Sequence, residues 1–225
     1  MTTKMVFHGS DIEKICDYYH LNKEDIVKFG ANVNPLGLSA SVKKEIAENI
    51  DLFSSYPDRD YVSLRNTIAA YCQIPAEFIL PGNGSSELIS LLIQERAPKH
   101  TLILGPTYSE YSRELSFSGS TQEYYHLREE RNFTLDVEDL CKTLENGYDF
   151  LILCNPNNPT GISIDREFLF RVLRVCREMD ILLVVDECFL DFMEEPGRYT
   201  LKAQLSRYHT VSYTHLRAHE TTLHL

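Results

Sequence analysis

Phe150-Leu-Ile-Leu-Cys154-Asn-Pro-Asn-Asn-Pro-Thr-Gly161 is a wholly apolar run that stops at a loop of three asparagines, two prolines and a glycine. An apolar run this short, bounded by turn formers, reads as a strand buried on both faces. The prolines and the glycine fix the loop's backbone, while its asparagines offer amide donors. A loop with so little to bury is a costly choice for a mere connection, and it points to a ligand.

The same grammar extends in both directions. Thr101-Leu-Ile-Leu104 reads as a strand ending at Gly105-Pro-Thr-Tyr108, Thr121 to Leu127 as another, and Ile181-Leu-Leu-Val-Val185 as one that ends at Asp186. Helical spacing fills the gaps, near Glu110 to Ser116, over Val137 to Leu144, and over the amphipathic stretch Asp165 to Glu178. Farther upstream, Asp11 to Tyr19, Ser41 to Ile50 and Tyr61 to Cys72 read as helices. Glu77 to Leu80 reads as a short strand running into Pro81-Gly-Asn-Gly-Ser-Ser86, and the helix that follows, to about Glu95, turns Leu88, Leu91 and Leu92 inward. Alternating helices and short apolar strands predict an α/β protein, a three-layer α-β-α sandwich around a mostly parallel sheet. In such sheets ligands gather at the carboxyl ends of the strands, where these polar clusters fall.

Bulk properties narrow the class. At 225 residues and 43% apolar content the chain has ample material for one large domain or one and a half ordinary ones. A net charge of -11 argues against nucleic acid as a partner, although a local nest of backbone N–H groups still binds small anions in an acidic protein. The six cysteines are scattered, without a C-x-x-C pair, and read as reduced, mostly buried thiols rather than a disulfide framework or zinc site. Met1 to Asp11 lacks the apolar core of a signal peptide. No stretch approaches the roughly 18 apolar residues of a membrane span. A soluble cytoplasmic protein with no membrane partner is expected.

The last stretch departs from this pattern. His209, His215, His219 and His224 are half of the chain's eight histidines. His215 and His219 stand four apart, a spacing that on a helix could hold a metal, but no third ligand of suitable spacing accompanies them, so no metal is expected. The run from Val211 to Thr221 resembles read-through of a sequencing adapter. The expected organisation is an N-terminal arm with part of a small domain over 1–50, a partial large domain over 51–209, and a tail foreign to the fold over 210–225.

Besides the asparagine loop, four further positions carry possible chemistry, each with a plainer reading beside it. Gly84, Ser85 and Ser86 suit a phosphate cradle at a helix N-terminus, or a glycine-rich turn with a serine cap. Tyr108 offers a ring face for stacking, or for packing. Asp186 puts a carboxylate at a strand tip, where it could meet a protonated ring nitrogen or merely form an acidic surface turn. Tyr56, in Tyr-Pro-Asp58, reads most simply as a buried tyrosine.

Together and in this order, GNGSSE, PTY, NPNNPTG and Asp186 resemble the fold-type I family of pyridoxal-phosphate enzymes, over about Phe7 to Tyr208. The resemblance implies pyridoxal 5′-phosphate as cofactor. Gly84, Ser85 and Ser86 would hold its phosphate, Tyr108 would stack on its ring, Asn158 would hydrogen-bond its 3′-oxygen and Asp186 would meet its pyridine nitrogen. Tyr56 would reach the phosphate in a neighbouring subunit, which implies a homodimer, and Asn34 would contact substrate. Two relatives compete within the family. Histidinol-phosphate aminotransferases usually carry a tyrosine where this chain has Phe189. Threonine-phosphate decarboxylases of the cobalamin pathway are closer, through His8-Gly-Ser-Asp11, Phe29-Gly-Ala-Asn-Val-Asn-Pro-Leu-Gly37 and Asp186 to Phe192, with Ser10 departing from their second glycine. The implied reaction is loss of the α-carboxylate of O-phospho-L-threonine, a small phosphorylated amino acid, to give aminopropanol phosphate. Transamination begins from the same adduct, and substrate contacts decide which bond breaks.

The family's Schiff-base lysine would fall near Leu216, yet Lys202 is the only lysine after Asp186 and its surroundings do not suit that role. The chain as written is therefore expected to be inert, with no catalytic residue of its own. Outside this family, a non-catalytic phosphate-ester binding module built on GNGSSE is the alternative, and it would need a C-terminal strand that the tail does not promise. A dinucleotide-binding oxidoreductase ranks lower, because no G-x-G-x-x-G follows the first strand.

Overall fold

The computed structural model describes residues 12–27, 34, 36–207 and, for the backbone alone, 211–214. His8 to Asp11, Phe29 to Val33, Pro35, the four C-terminal histidines and Leu216 lie outside the described residues. The chain divides into two compact units between Leu52 and Phe53.

In the first unit, α1 spans Ile12–Tyr19 and α2 spans Ala40–Glu48. Ser39 caps α2 by accepting a hydrogen bond from the Val42 N–H, one of the donors a helix start leaves unpaired. Asn34 shapes a turn, its Oδ1 accepting from the Leu36 N–H at 3.0 Å and its Nδ2 donating to the Gly37 carbonyl at 3.2 Å.

The second unit runs α3 (Val62–Cys72), α4 (Ser85–Arg96), β1 (His100–Gly105), α5 (Glu110–Ser118), β2 (Thr121–His126), α6 (Val137–Leu144), β3 (Phe150–Cys154), α7 (Arg166–Glu178), β4 (Leu182–Asp186) and β5 (Val211–Thr214). The strands form one sheet in the order β2-β1-β3-β4-β5, every neighbouring pair parallel. Side chains alternate across it as a strand's period of two requires. Leu102, Leu104, Leu151, Leu153, Leu183 and Val185 pack on one face with Leu140 of α6 and Val172 and Leu173 of α7. Ile103, Phe150, Ile152, Cys154 and Val184 pack on the other with Ile89 and Ile93 of α4 and Tyr111 and Leu115 of α5. Both faces are covered, which is why the strands are apolar throughout and not half polar. This is the three-layer α-β-α architecture expected. The edge strand β2, Thr-Gln-Glu-Tyr-Tyr-His, is mostly exposed. No helix among the described residues is long and apolar enough to cross a membrane.

Two local expectations give way. Glu77 to Leu80 is no strand: Ala76–Phe78 is a 3₁₀ turn, closed by Phe78 N–H to Pro75 O at 3.0 Å and Ile79 N–H to Ala76 O at 3.2 Å. Within α4 the buried residues are Ser85, Ile89 and Ile93; Leu88 and Leu92 are half-buried, Leu92 packing against that core, and Leu91 is exposed. Val211–Thr214 pairs with Leu183 to Asp186 as the fifth strand.

Candidate functional site

The sheet order places a reversal between β1 and β3. From β1 the chain goes outward to β2, then returns across to β3 on β1's other side. At such a switch point the loops leaving adjacent strands diverge and open a crevice at their carboxyl ends. The two loops here are Pro106 to Ser109 and Asn155 to Gly161.

Side-chain amides brace that crevice. Asn157 is buried and ties the loops together: its Nδ2 donates to the Pro106 carbonyl at 2.9 Å, and its Oδ1 accepts from the Thr107 hydroxyl at 3.0 Å. Asn155 is fully buried, accepting from the Ile164 N–H at 2.7 Å and donating to the carbonyls of Ile164 at 3.1 Å and Tyr199 at 2.7 Å. These two asparagines satisfy backbone groups that the proline-rich chain leaves without ladder partners. Asn158, half-exposed, is the one of the three whose amide these bonds do not use. The peptides preceding Pro106, Pro156 and Pro159 are cis.

Asp186 ends β4 and is no surface turn, being 2% exposed. Its Oδ2 accepts from the Tyr111 hydroxyl at 2.6 Å and its Oδ1 from the Cys188 N–H at 3.1 Å. Its backbone carbonyl takes the Asn155 N–H at 2.8 Å, locking β4 to the start of the asparagine loop. Burial, and then the neighbouring Asp186 charge, push the Tyr111 phenol well above its ordinary value, so it stays an O–H donor. The result is a buried carboxylate oriented by the Tyr111 hydroxyl and the Cys188 N–H.

The other expected residues fall as follows. Gly84 opens α4 at φ 88° and ψ 167°, a backbone region essentially restricted to glycine. Ser85 is buried and Ser86 exposed in the first turn, where unpaired N–H groups attract an anion. Glu87 pins the preceding loop by accepting from the Asn83 backbone N–H and, at 3.2 Å, from its amide. Tyr108 is half-buried and meets Tyr111 edge-on, ring centroids 5.6 Å apart. Tyr56 is fully exposed, which removes the simple reading of a buried tyrosine. Asn34 belongs to the first unit, in the turn described above.

Several residues near this centre were not singled out in the sequence. Tyr111 has only its spacing of three from Tyr108 to mark it. Glu187, beside Asp186, is fully buried and accepts from the Thr200 hydroxyl at 2.6 Å and the Leu201 N–H at 3.1 Å. Burial raises its carboxyl to about 7, against the opposing pull of those two donors and the Lys202 charge. Cys154 and Cys188, distant in sequence, bring their sulfurs to the Asp186 carboxylate.

The chain is similar in sequence and fold to known proteins. Residues 24–215 match the sequence model of aminotransferase class I and II. The chain is 36% identical over 186 residues to threonine-phosphate decarboxylase of Salmonella typhimurium, covering 83% of this chain and 51% of that one. It is 27% identical over 190 residues to histidinol-phosphate aminotransferase of Methanococcus aeolicus, covering 83% and 50%. Its structure is similar to that of the histidinol-phosphate aminotransferase from Clostridium acetobutylicum, with a TM-score of 0.72 and 31% identity, covering 81% and 53%. The chain spans about half the length of the curated relatives it matches.

Proposed function

Since the chain belongs to the aminotransferase class I and II family, we propose that it carries the cofactor-binding part of a decarboxylase acting on O-phospho-L-threonine. The family's cofactor, pyridoxal 5′-phosphate, supplies an electron sink for bonds broken at the substrate's α-carbon. The observation that carries the reading is the buried Asp186 carboxylate, held by Tyr111 and Cys188 at the carboxyl end of β4. A carboxylate there fits a protonated pyridine, because it is buried, anionic and fixed in orientation by the Tyr111 hydroxyl and the Cys188 N–H.

Asp186 holds the proton on the ring nitrogen, and Tyr111 keeps Asp186 from rotating. Gly84, Ser85 and Ser86 receive the phosphate on the first turn of α4. Tyr108 covers the ring face, and Asn158 donates its amide to the ring oxygen while Asn155 and Asn157 hold the loop in shape. Tyr56, fully exposed, suits a reach toward the phosphate in a second copy of the chain, in keeping with a homodimer. Asn34 is assigned to substrate on the family resemblance alone. Lys202 lies in a 3₁₀ turn close enough to Glu187 for its charge to act there, and it is not assigned the covalent role.

Support for phosphothreonine comes from the 36% identity to the Salmonella decarboxylase. The 31% identity to the Clostridium aminotransferase favours a second reading, amino transfer from histidinol phosphate. Titration of the chain with pyridoxal phosphate, followed by absorbance, tests the pocket: Asp186→Asn is expected to weaken binding by about 10- to 100-fold, the worth of a charge-assisted hydrogen bond. Equal affinity in the two proteins refutes the assignment. Borohydride reduction and peptide mapping test Lys202, where a specific label would overturn its exclusion. The reaction is read on the gene product at the length its cell makes. Carbon dioxide released from O-phospho-L-threonine supports the decarboxylase, and amino transfer from histidinol phosphate to 2-oxoglutarate supports the alternative.

A further inference from the structure

We propose that Cys154, Asp186 and Cys188 form a site for one thiophilic divalent cation of the zinc and cadmium class, and that this cation and the pyridine ring exclude one another at Asp186. Nothing in the spacing of the cysteines announces such a site. The sheet builds it: Cys154 stands opposite Asp186 in the β3–β4 register, and Cys188 follows two residues later. The two sulfurs and a carboxylate oxygen all lie within 4.8 Å of one another. Ligands around a tetrahedral zinc, at about 2.3 Å for sulfur, sit roughly 3.8 Å apart, so closure needs movements of about 1 Å or less.

The donor set selects the ion. Two thiolates favour zinc, cadmium or copper(I) over magnesium or calcium, which take oxygen ligands. All three residues are buried, at 1%, 2% and 4% exposure, where a cation is retained only by ligands that answer its charge. Two thiolates and one carboxylate do so, leaving a single excess negative charge that faces the Tyr111 hydroxyl and the Cys188 N–H. On binding, two sulfur–metal bonds and one carboxylate–metal bond form, the cation sheds water ligands, and the two S–H protons leave to solvent. The Cys154 thiol, which donates to the Pro156 carbonyl at 3.1 Å, gives up that bond in the exchange. The mutual exclusion rests on the reading of Asp186 as the ring's partner; the metal site does not.

Cadmium is the probe, titrated into the cofactor-free chain and followed by its ultraviolet thiolate-to-metal absorption. One cadmium per chain is expected, with affinity reduced at least tenfold in Cys188→Ala and in Cys154→Ala but unchanged in Cys176→Ala, a buried thiol outside the trio. Circular dichroism checks each fold, and should Cys154→Ala not fold, Cys188→Ala alone decides. Absence of binding, or wild-type binding in folded Cys188→Ala, overturns the site. Pyridoxal phosphate is then titrated at increasing cadmium, and its apparent dissociation constant is expected to rise in proportion. Cadmium held by both cysteines with no effect on pyridoxal phosphate overturns the exclusion. Failure of pyridoxal phosphate to bind the metal-free chain overturns the cofactor reading instead and leaves the metal result standing.

Discussion

Replacing Glu187 with glutamine removes the buried carboxyl whose proton affinity the fold raises most clearly. Its value rises from 4.5 to about 7 because burial penalises the charged form more than Thr200, Leu201 and Lys202 favour it. At about 1.4 kcal/mol per tenfold change in proton affinity, the rise amounts to about 3 kcal/mol. The folded state holds the proton more tightly than the unfolded chain, so the associated stability is complete below 4.5 and is lost as pH climbs through about 7. Wild type should therefore lose about 2 kcal/mol relative to Glu187→Gln between about pH 5.5 and pH 8, and nothing more above that. Glutamine keeps an acceptor for the Leu201 N–H, and the Thr200 hydroxyl can turn to accept from its amide. The assay is urea unfolding followed by circular dichroism across that pH range, reading the difference between the two proteins so that shared titrations cancel. A difference that stays level with pH, or that moves in wild type's favour as pH rises, refutes the reasoning.

Three further outcomes follow from the same contacts. Tyr111→Phe removes the 2.6 Å hydrogen bond from its hydroxyl to Asp186 Oδ2 and should cost about 1–3 kcal/mol, read as a lower urea midpoint with an unchanged slope. Asn155→Ala strips partners from the Ile164 N–H and from the carbonyls of Ile164 and Tyr199, and should cost about 3 kcal/mol or more with faster proteolysis between Asn155 and Tyr199. Leu173→Ala, fully buried between α7 and the sheet, should lose about 2–5 kcal/mol in thermal or urea unfolding through the cavity it leaves.

The α/β layering and the location of the site were legible because they depend on short-range pattern. Phe150 to Cys154 and Ile181 to Val185 are too short and too apolar to be anything but strands covered on both faces, and turn formers mark where each ends. Asp186 and the asparagine loop follow directly from those ends. The helix α4 shows where pattern runs out. Leu88, Ile89, Leu91, Leu92 and Ile93 place apolar groups nearly all round it, so its inward face was chosen only when Ile89 and Ile93 met Ile103, Tyr111 and Val184. Phe78 and Ile79 have strand-like side chains, but without a neighbouring strand to accept the ladder their backbone closed on itself.

The chain's own order thus determined which segments are strands, where the polar loops leave them, and which carboxylate stands at a strand tip. Only tertiary structure decided the strand order, the addition of Val211–Thr214 beside β4, and the meeting of Tyr111, Cys154 and Cys188 at Asp186. The reason is physical. Periodicity records how a residue relates to its near neighbours in the chain. Pairing β3 with β4 brings together groups more than thirty residues apart, and no local propensity encodes that distance.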